Sequence, residues 1–160
     1  MIALEPNPSV FSILKENIFL NSASNITALN IASSDKKGLA SLYEPSVKSG
    51  KAGTSATLRP DVMSASHGLT YGSSVRVRAD TLDNILKDTD AVDLLMIDVE
   101  GAEVEVLVGA ENLLKKTKML IVEVRPDTRR KVMELVGKYF VVKELDDHKE
   151  WVNLWGTSKN

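Results

Sequence analysis

The sequence of 160 residues has no cysteine and only two histidines, His67 and His148. Without cysteine the chain can form no disulfide, no thiolate nucleophile and no cysteine-ligated metal site. His148 lies in a predicted turn and His67 in a long predicted loop, and neither has an obvious partner for acid–base chemistry. The composition therefore argues strongly against catalytic zinc and against imidazole-based catalysis.

An excess of basic charge is also missing, because 20 Lys and Arg face 22 Asp and Glu, for a net charge of −2. Nucleic-acid binding proteins usually need such an excess to neutralise phosphates. No apolar run approaches the roughly 20 residues that a membrane span needs, and the start MIALEPNPSV lacks the features of a secretory signal. We expect a cytoplasmic protein whose partners include neither nucleic acid nor membrane.

The length and the hydrophobic content of 43% fit one domain over residues 1–160, with a hydrophobic core that needs no disulfide or metal ion for stability. The apolar run 2–4 stops at Glu5-Pro6, which is typical of a buried strand that enters a turn. Asn7 and Pro8 then provide the cap and the first residue of a helix. Its predicted apolar face is Val10, Ile13, Leu14 and Ile18. Residues 26–31 predict a second strand, which completes a β-α-β unit with parallel strands.

The following segments predict two strands that pair as a ribbon, and after them a series of alternating helices and strands. Residues 39–43 and 75–78 alternate like half-exposed strands, and the long segment 44–74 between them shows no helical period. Further predicted elements are a short helix after Thr81, a buried and central strand at 92–98, a helix from Gly101 with Val104, Leu107 and Val108 buried, a strand at 119–124, a helix after Asp127, and strands at 140–145 and 151–155. The fold class is therefore α/β, a mostly parallel sheet with a carboxyl-terminal antiparallel hairpin.

In open sheets of this class, ligands bind outside the carboxyl ends of the strands. The polar residues predicted there are Glu5, Asn30 to Ser33, Asp98 to Glu100, and Glu123 with Arg125. Glu5 has the position of an acid that accepts the hydroxyls of a ribose, but it equally suits the positive end of the following helix. Asp98 and Glu100 could transfer protons or hold a hard cation, or they could cap the next helix.

Two other groups of polar residues have a plain structural interpretation. The charged residues Arg125, Asp127, Arg129 and Arg130 are read as a solvated helix face rather than a site for an acidic substrate. Residues 49–55 share part of the sequence pattern of a phosphate-binding loop. The pattern requires a hydroxyl side chain after its lysine, and Ala52 follows Lys51, so we reject this interpretation. Lys51, Ser55 and Thr57 could contact a substrate, although a solvated loop explains them as well.

Four segments carry a resemblance to a known family. They are EPNP at 5–8, KENIFLN at 15–21, TLDNIL at 81–86 and IDVEGAEVEVLVGA at 97–110. In this order and spacing they resemble the FkbM family of S-adenosylmethionine-dependent methyltransferases. The resemblance implies a Rossmann-like class I methyltransferase fold and O-methylation of a small molecule or glycan.

The resemblance also implies roles for individual residues. Glu5 matches the acid that holds the ribose hydroxyls of S-adenosylmethionine, and Asp98 matches the acid near its methionine end and the acceptor. The cofactor-binding set expected from the resemblance is Glu5, Pro6, Asn30, Ala32, Ser33 and Asp98. The expected catalytic residues are Asp98 and, less directly, Glu100. The region around 53–55 matches a variable part of the family that shapes the acceptor pocket.

The chain departs from the family at its start. No glycine precedes Gly38, whereas such folds begin with a strand and a glycine-rich turn. The resemblance implies that the missing strand is the middle one, and we expect its neighbours to leave backbone groups unpaired at about 1–3 kcal/mol each if buried. Either strand 2–4 moves across to pair with the strand that ends at Asp98, or a homo-oligomer or a separate partner chain fills the exposed edge.

Two alternative functions stay open from the sequence. The chain could be an inactive methyltransferase fragment that acts as a binding or assembly module. Alternatively, Asp98, Glu100 and Glu123 could hold Mg²⁺ for phosphate or sugar-nucleotide chemistry.

Overall fold

The structure is a computed structural model that describes residues 1–46, 55–67, 70–148 and 151–159. Over these ranges it is a mixed α/β fold in which nine strands form three hydrogen-bonded sheets, with strand orders β1-β2, β3-β5-β4 and β6-β7-β9-β8. No helix in the described ranges is long and apolar enough to span a membrane.

The first unit is the predicted β-α-β motif, with β1 (Ile2–Leu4), α1 (Pro8–Leu20) and β2 (Thr27–Leu29). β1 and β2 pair in parallel, with Ala3 opposite Ala28. Asn7 caps α1 as predicted, because its side chain accepts a hydrogen bond from the Ser9 N–H at 3.0 Å. The predicted apolar face of α1 is only partly covered, because Val10, Leu14 and Ile18 are half-buried, Ile13 is 57% exposed and no residue of α1 is fully buried.

The second sheet contains β3 (Ala32–Ser33), β4 (Gly38–Pro45) and β5 (Tyr71–Asp80). The predicted ribbon is confirmed, since β4 pairs with β5 along its whole length, and the pairing is antiparallel. The segment 44–74 was expected to lack a helix, yet α2 (Pro60–His67) lies within it, so His67 ends a helix rather than lying in a loop. Val62 and Met63 anchor α2 in the protein interior. Lys51 and Gly53-Thr54 of the expected acceptor region lie outside the described residues.

The third sheet contains β6 (Val92–Ile97), β7 (Thr117–Val124), β8 (Phe140–Asp147) and β9 (Val152–Ser158). The carboxyl-terminal hairpin is confirmed, and β9 also pairs antiparallel with β7. Over the described residues three strand pairs are parallel and three are antiparallel. The expectation of a mostly parallel sheet is therefore wrong, since the ribbon β4–β5, the hairpin β8–β9 and the pair β7–β9 equal the parallel pairs in number.

Four helices cover the third sheet and fill its core: α3 (Leu82–Ile85), α4 (Glu103–Val108), α5 (Glu111–Lys115) and α6 (Pro126–Val136). Thr81 caps α3 as predicted, because its hydroxyl accepts from the Asn84 N–H at 3.1 Å. In α4 the buried residues are Glu103, Val106 and Leu107, while Val108 is exposed. The predicted burial of Val108 is wrong, because Glu103, Val106 and Leu107 share one face of the helix and Val108 lies on the other side.

The strands β1 and β6 do not pair with each other. In the part of the chain that the structure describes, β1 pairs with β2 alone and β6 with β7 alone. Of the two alternatives for the open edge, direct pairing of these two strands is therefore wrong, and so is the expectation that β6 is central. Leu94 and Met96 are 48% and 68% exposed, so the face of β6 on which they lie is not fully covered. A cleft separates the two strands.

Candidate functional site

The cleft between β1 and β6 has a volume of about 630 Å³ and is lined by consecutive residues of both strands, from Ile2 to Asn7 and from Leu95 to Glu100. Ligand pockets in proteins typically measure about 300–1,000 Å³. Glu5 and Asp98 both line it. The two strand-end acids, which are far apart in the sequence, therefore face a common space.

The carboxyl ends of β1 and β6 lie at the same end of this cleft, because both are tied to β4. Beyond β1, the Asn7 side-chain amide donates to Glu44 at 3.0 Å. Beyond β6, the Thr57 hydroxyl donates to the Glu100 carbonyl at 2.6 Å. Thr57 in turn exchanges two backbone hydrogen bonds with Tyr43, the neighbour of Glu44, at 2.8 and 3.0 Å. These contacts form the polar mouth of the cleft.

Glu5 is held rigidly at this mouth. One oxygen of its carboxylate accepts the Asn7 N–H at 2.7 Å. Burial raises the pKa of the Glu5 carboxyl above its usual value, and the hydrogen bond from Asn7 partly opposes that rise. The second carboxylate oxygen is left for a ligand, since no hydrogen bond joins it to any described residue.

The other residues expected beside the cofactor divide into two kinds. Pro6, Ala32 and Ser33 line the cleft. The Asn30 side-chain amide instead donates to the carbonyls of Glu5 and Pro6, at 2.8 and 3.0 Å. Asn30 therefore fixes the backbone that carries Glu5, which makes it a positioning residue in this structure.

Asp98 follows β6 directly, and its side chain is exposed in the cleft. Over the described ranges its carboxylate has no hydrogen-bonded partner. It is thus an unshielded negative group at the mouth, where it can attract a cation or accept a proton.

The turn after Asp98 has an unusual backbone. Glu100 has a φ of 51°, in the left-handed region that non-glycine residues rarely adopt, and Gly101 has a φ of 96°. A Cβ on Gly101 would lie 3.1 Å from Val62 Cγ1 in α2. Backbone strain of this kind is concentrated at functional sites. The motif DVEG therefore encodes a tight turn that aims the strand end at the cleft.

An ion-pair cluster of Arg125, Glu100 and Glu123 holds the side chain of Glu100 in that turn. Arg125 is 4% exposed and its guanidinium binds the carboxylates of Glu100 and Glu123. It also lies over the Trp151 ring, 5.9 Å from the ring centroid. The interpretation of Arg125 as part of a solvated face is therefore wrong, whereas Arg129 forms a half-exposed pair with Glu144.

Burial raises the pKa values of two titratable groups beside the ion-pair cluster. Burial raises the pKa of the Glu100 carboxyl, and Arg125 opposes this effect without cancelling it. Burial and then the charge of Glu100 raise the pKa of Tyr71 to about 12. Both effects mark a partly desolvated region next to the cleft.

Glu103 is an important residue of the site, whereas the sequence indicated only an acid favoured by the dipole at the amino end of a helix. Its side chain is 1% exposed. Its carboxylate accepts the Gly101 N–H at 2.7 Å and the Thr128 hydroxyl at 3.1 Å. Burial raises the pKa of Glu103, while the Gly101 hydrogen bond opposes the rise. The local signal was an acid two residues after the glycine of a tight turn.

The arrangement does not support two other expectations. In the described residues no group of three or more His, Asp or Glu side chains converges as a metal site would require. Glu100 and Glu123 bind Arg125 instead of converging with Asp98. Thr57 is buried and bonded to Glu100, so it belongs to the framework of the site rather than to a solvated loop.

The fold and the site define an α/β domain with an acid-lined cleft at its strand ends, and comparison with known proteins adds the family. The model of the methyltransferase FkbM domain matches residues 1–154. The chain belongs to the FkbM methyltransferase family, so the resemblance seen in the sequence is confirmed.

A solved structure has a similar fold. It is the crystal structure of methyltransferase FkbM from Methylobacillus flagellatus KT, with a TM-score of 0.60 and 13% sequence identity. The similarity covers 97% of this chain and 36% of that chain, so this chain spans little more than a third of the relative. No curated protein matches the sequence.

Proposed function

We propose that this chain is an S-adenosylmethionine-dependent methyltransferase domain that binds the methyl donor at the mouth of the β1–β6 cleft. The observation that carries the proposal is that Glu5 and Asp98 line one cleft at the ends of two strands. Membership of the FkbM family supports methyl transfer as the reaction.

The residues at the mouth fit such a cofactor chemically. The free oxygen of Glu5 can accept hydrogen bonds from vicinal ribose hydroxyls, as acids at this place do in nucleotide-binding folds. Ala32 is small, apolar and buried, which suits the flat face of an adenine. The exposed carboxylate of Asp98 complements an ammonium or sulfonium charge.

When bound, S-adenosylmethionine supplies an electrophilic methyl group on a sulfonium sulfur. The protein contributes mainly orientation, because in-line displacement requires the nucleophile and the methyl group at about 3–3.5 Å. Asp98 can also accept the proton of an acceptor hydroxyl. Glu100 acts as a positioning residue, since its carboxylate is engaged by Arg125. The proposed acceptor class is a hydroxyl of a small molecule or glycan.

Titration calorimetry with S-adenosylmethionine tests the binding step. The folded wild-type chain is expected to release heat at up to millimolar cofactor, and Glu5→Gln and Asp98→Asn are each expected to bind about 10-fold to 150-fold more weakly. The reason is that each loses a charged interaction worth about 1.5–3 kcal/mol. The matched controls are Glu16→Gln on the exposed side of α1 and Asp93→Asn on β6.

The controls are expected to bind as the wild type does, because Glu16 and Asp93 do not line the cleft. Absence of heat from folded wild-type protein at millimolar cofactor would contradict the proposal. So would equal affinities for the cleft variants and the control variants.

A further inference from the structure

The two acids of the proposed donor site lie at the ends of strands that do not pair with each other. Over the described residues β1 is bonded to β2 and β6 to β7, so no backbone ladder fixes the distance between Glu5 and Asp98. That distance depends on packing and on hydrogen bonds across the mouth of the cleft. Two chains of hydrogen bonds cross the mouth, and they start at consecutive residues of β4, Glu44 and Tyr43.

The first chain runs from Glu44 to Glu5 through Asn7. The Asn7 side-chain amide donates to one Glu44 oxygen at 3.0 Å, and the Ser73 hydroxyl donates to the other at 3.3 Å. Asn7 is 5% exposed, and its side-chain oxygen accepts from the Ser9 N–H at 3.0 Å. Its backbone N–H donates to the Glu5 carboxylate at 2.7 Å. A buried residue with three fixed polar groups thus connects β4 to the Glu5 carboxylate.

The second chain runs from Tyr43 to the turn after Asp98 through Thr57. Tyr43 and Thr57 exchange two backbone hydrogen bonds, at 2.8 and 3.0 Å. The Thr57 hydroxyl donates to the Glu100 carbonyl at 2.6 Å and accepts the Arg59 N–H at 2.8 Å. Thr57 is 1% exposed, so water has little access to take over these bonds. Its hydroxyl therefore fixes the end of the turn that carries Asp98.

We infer that Glu44 and Thr57 are positioning residues of the methyl-donor site and that each controls a different half of the donor. Glu44 acts through Asn7 on the acid proposed to hold the ribose. Thr57 acts through the Glu100 carbonyl on Asp98, the acid proposed to face the methionine end. The inference rests on the proposed function, and it adds two residues that do not themselves line the cleft.

The two links should govern ligand binding more than folding. When either link is lost, β1 keeps its pairing with β2 and β6 keeps its pairing with β7. What changes is the place of one acid relative to the other. A ligand that contacts a single acid is insensitive to a shift of the other acid, whereas a ligand that spans the mouth is sensitive to both.

NMR titrations of the full chain with two probes, adenosine and S-adenosylmethionine, test this division. Glu44→Ala removes the acceptor of the Asn7 amide and should weaken the binding of both probes by about threefold to tenfold, the factor that corresponds to one hydrogen bond. Thr57→Val keeps the shape of the side chain but loses the hydroxyl. It should weaken S-adenosylmethionine binding by a similar factor and leave the affinity for adenosine unchanged.

Matched variants separate positioning from a general loss of stability. Glu44→Gln keeps an acceptor oxygen and Thr57→Ser keeps the hydroxyl, so both should bind the two probes as the wild type does. Thr117→Val removes another buried hydroxyl, which donates to the Leu113 carbonyl at 2.7 Å away from the cleft, and should leave both affinities unchanged. Should Glu44→Ala or Thr57→Val fail to fold, Glu44→Asp and Thr57→Ala repeat the test with smaller changes and the same expected pattern.

Four results would overturn the inference. They are wild-type affinity for S-adenosylmethionine in the folded Glu44 and Thr57 variants, equal losses for both probes in Thr57→Val, no recovery in Glu44→Gln and Thr57→Ser, and wild-type protein that binds the donor but not adenosine. Absence of donor binding by the wild type would overturn the proposed function together with the inference. Normal wild-type binding with unaffected variants would overturn the inference alone, so the two failures are distinguishable.

Discussion

The β1–α1–β2 unit and the sheet built on β6 and β7 both contain a parallel strand pair, yet they bury their side chains very differently. No residue of α1 is buried. In the third sheet Val122, Val124 and Leu154 have no exposed area, because α4, α5 and α6 pack on it. The cleft lies at the boundary between these two regions.

The difference shows how a sequence pattern relates to burial. The apolar residues of α1 recur with a helical period, and Ile13 and Phe19 are nevertheless exposed. A pattern indicates which face requires a neighbour, but burial depends on whether that neighbour is present. The open edge of β6 makes the same point, since its apolar sequence suits an interior strand.

The largest expected contrast between the two regions comes from matched Leu→Ala substitutions. Leu154→Ala in β9 should lower the free energy of unfolding by about 2–5 kcal/mol, because it removes a fully buried side chain and leaves a cavity. Leu20→Ala at the end of α1 should cost about 0.5 kcal/mol or less, because the side chain is exposed. Urea unfolding followed by circular dichroism measures both. Equal losses would remove the contrast.

The ion pairs provide a second matched contrast. Arg125→Met should destabilise the protein by about 2–3 kcal/mol. Breaking a fully buried pair costs roughly 3–5 kcal/mol, and the smaller value is expected because the side chains of Glu100 and Glu123 are about one-fifth exposed. Arg129→Met breaks the pair with Glu144, both of whose members are about two-fifths exposed, and should cost about 1 kcal/mol or less. Chemical denaturation of both variants is the measurement. A loss at Arg129 as large as that at Arg125 would show that burial of the cluster is not the cause.

Two glycine substitutions compare the backbone strain of the turn at the mouth with that of an ordinary strand position. Gly101→Ala should cost about 1–3 kcal/mol, because the positive φ is unfavourable for alanine and the new Cβ meets Val62. Gly72→Ala in β5 is the control, since the nearest atoms to its Cβ would be 3.9 Å away. Thermal unfolding of the two variants compares them. Indistinguishable melting temperatures would mean that the turn carries no strain.

The smallest expected effect is a change in pH dependence at Glu103. Its pKa is raised in the folded protein, so the folded state binds the proton more tightly than the unfolded state. The resulting stability is fully present below the unfolded pKa of about 4.5 and is lost as the pH rises through the folded pKa. Glu103→Gln should therefore make the decline of stability above that pH shallower.

Urea unfolding at a series of pH values measures this slope, with Glu16→Gln on exposed α1 as the control. The control should keep the slope of the wild type. A slope for Glu103→Gln that equals that of the wild type would show that Glu103 is not the group responsible.

Local sequence signals were sufficient to predict those helix starts and strands that depend on residues close together in the chain. Asn7-Pro8 marks the start of α1, Thr81 marks the start of α3, and the alternating segments near the carboxyl end form the hairpin β8–β9. The position of Glu5 and Asp98 on one cleft also followed from a general rule, namely that carboxyl ends of parallel strands meet at one edge.

Features that depend on distant contacts were not predictable in this way. Arg125 appears in the sequence among charges at a helix start, and only the fold brings Glu100 against it, 25 residues away in the chain. The helix α2 has little periodic signal and is fixed by burial of Val62 and Met63 against the turn at Gly101. The open edge of β6 could not be read from residues that are apolar on both faces.

The central claim is that Glu5 and Asp98 face one ligand-binding cleft between the two regions. An NMR titration of the ¹⁵N-labelled chain with S-adenosylmethionine tests it most directly. The account predicts that the largest amide shift changes occur at Glu5, Ala32, Ser33, Asp98 and Val99, with little change in β8 and β9. Absence of shift changes at millimolar ligand, or changes confined to residues away from the cleft, would contradict it.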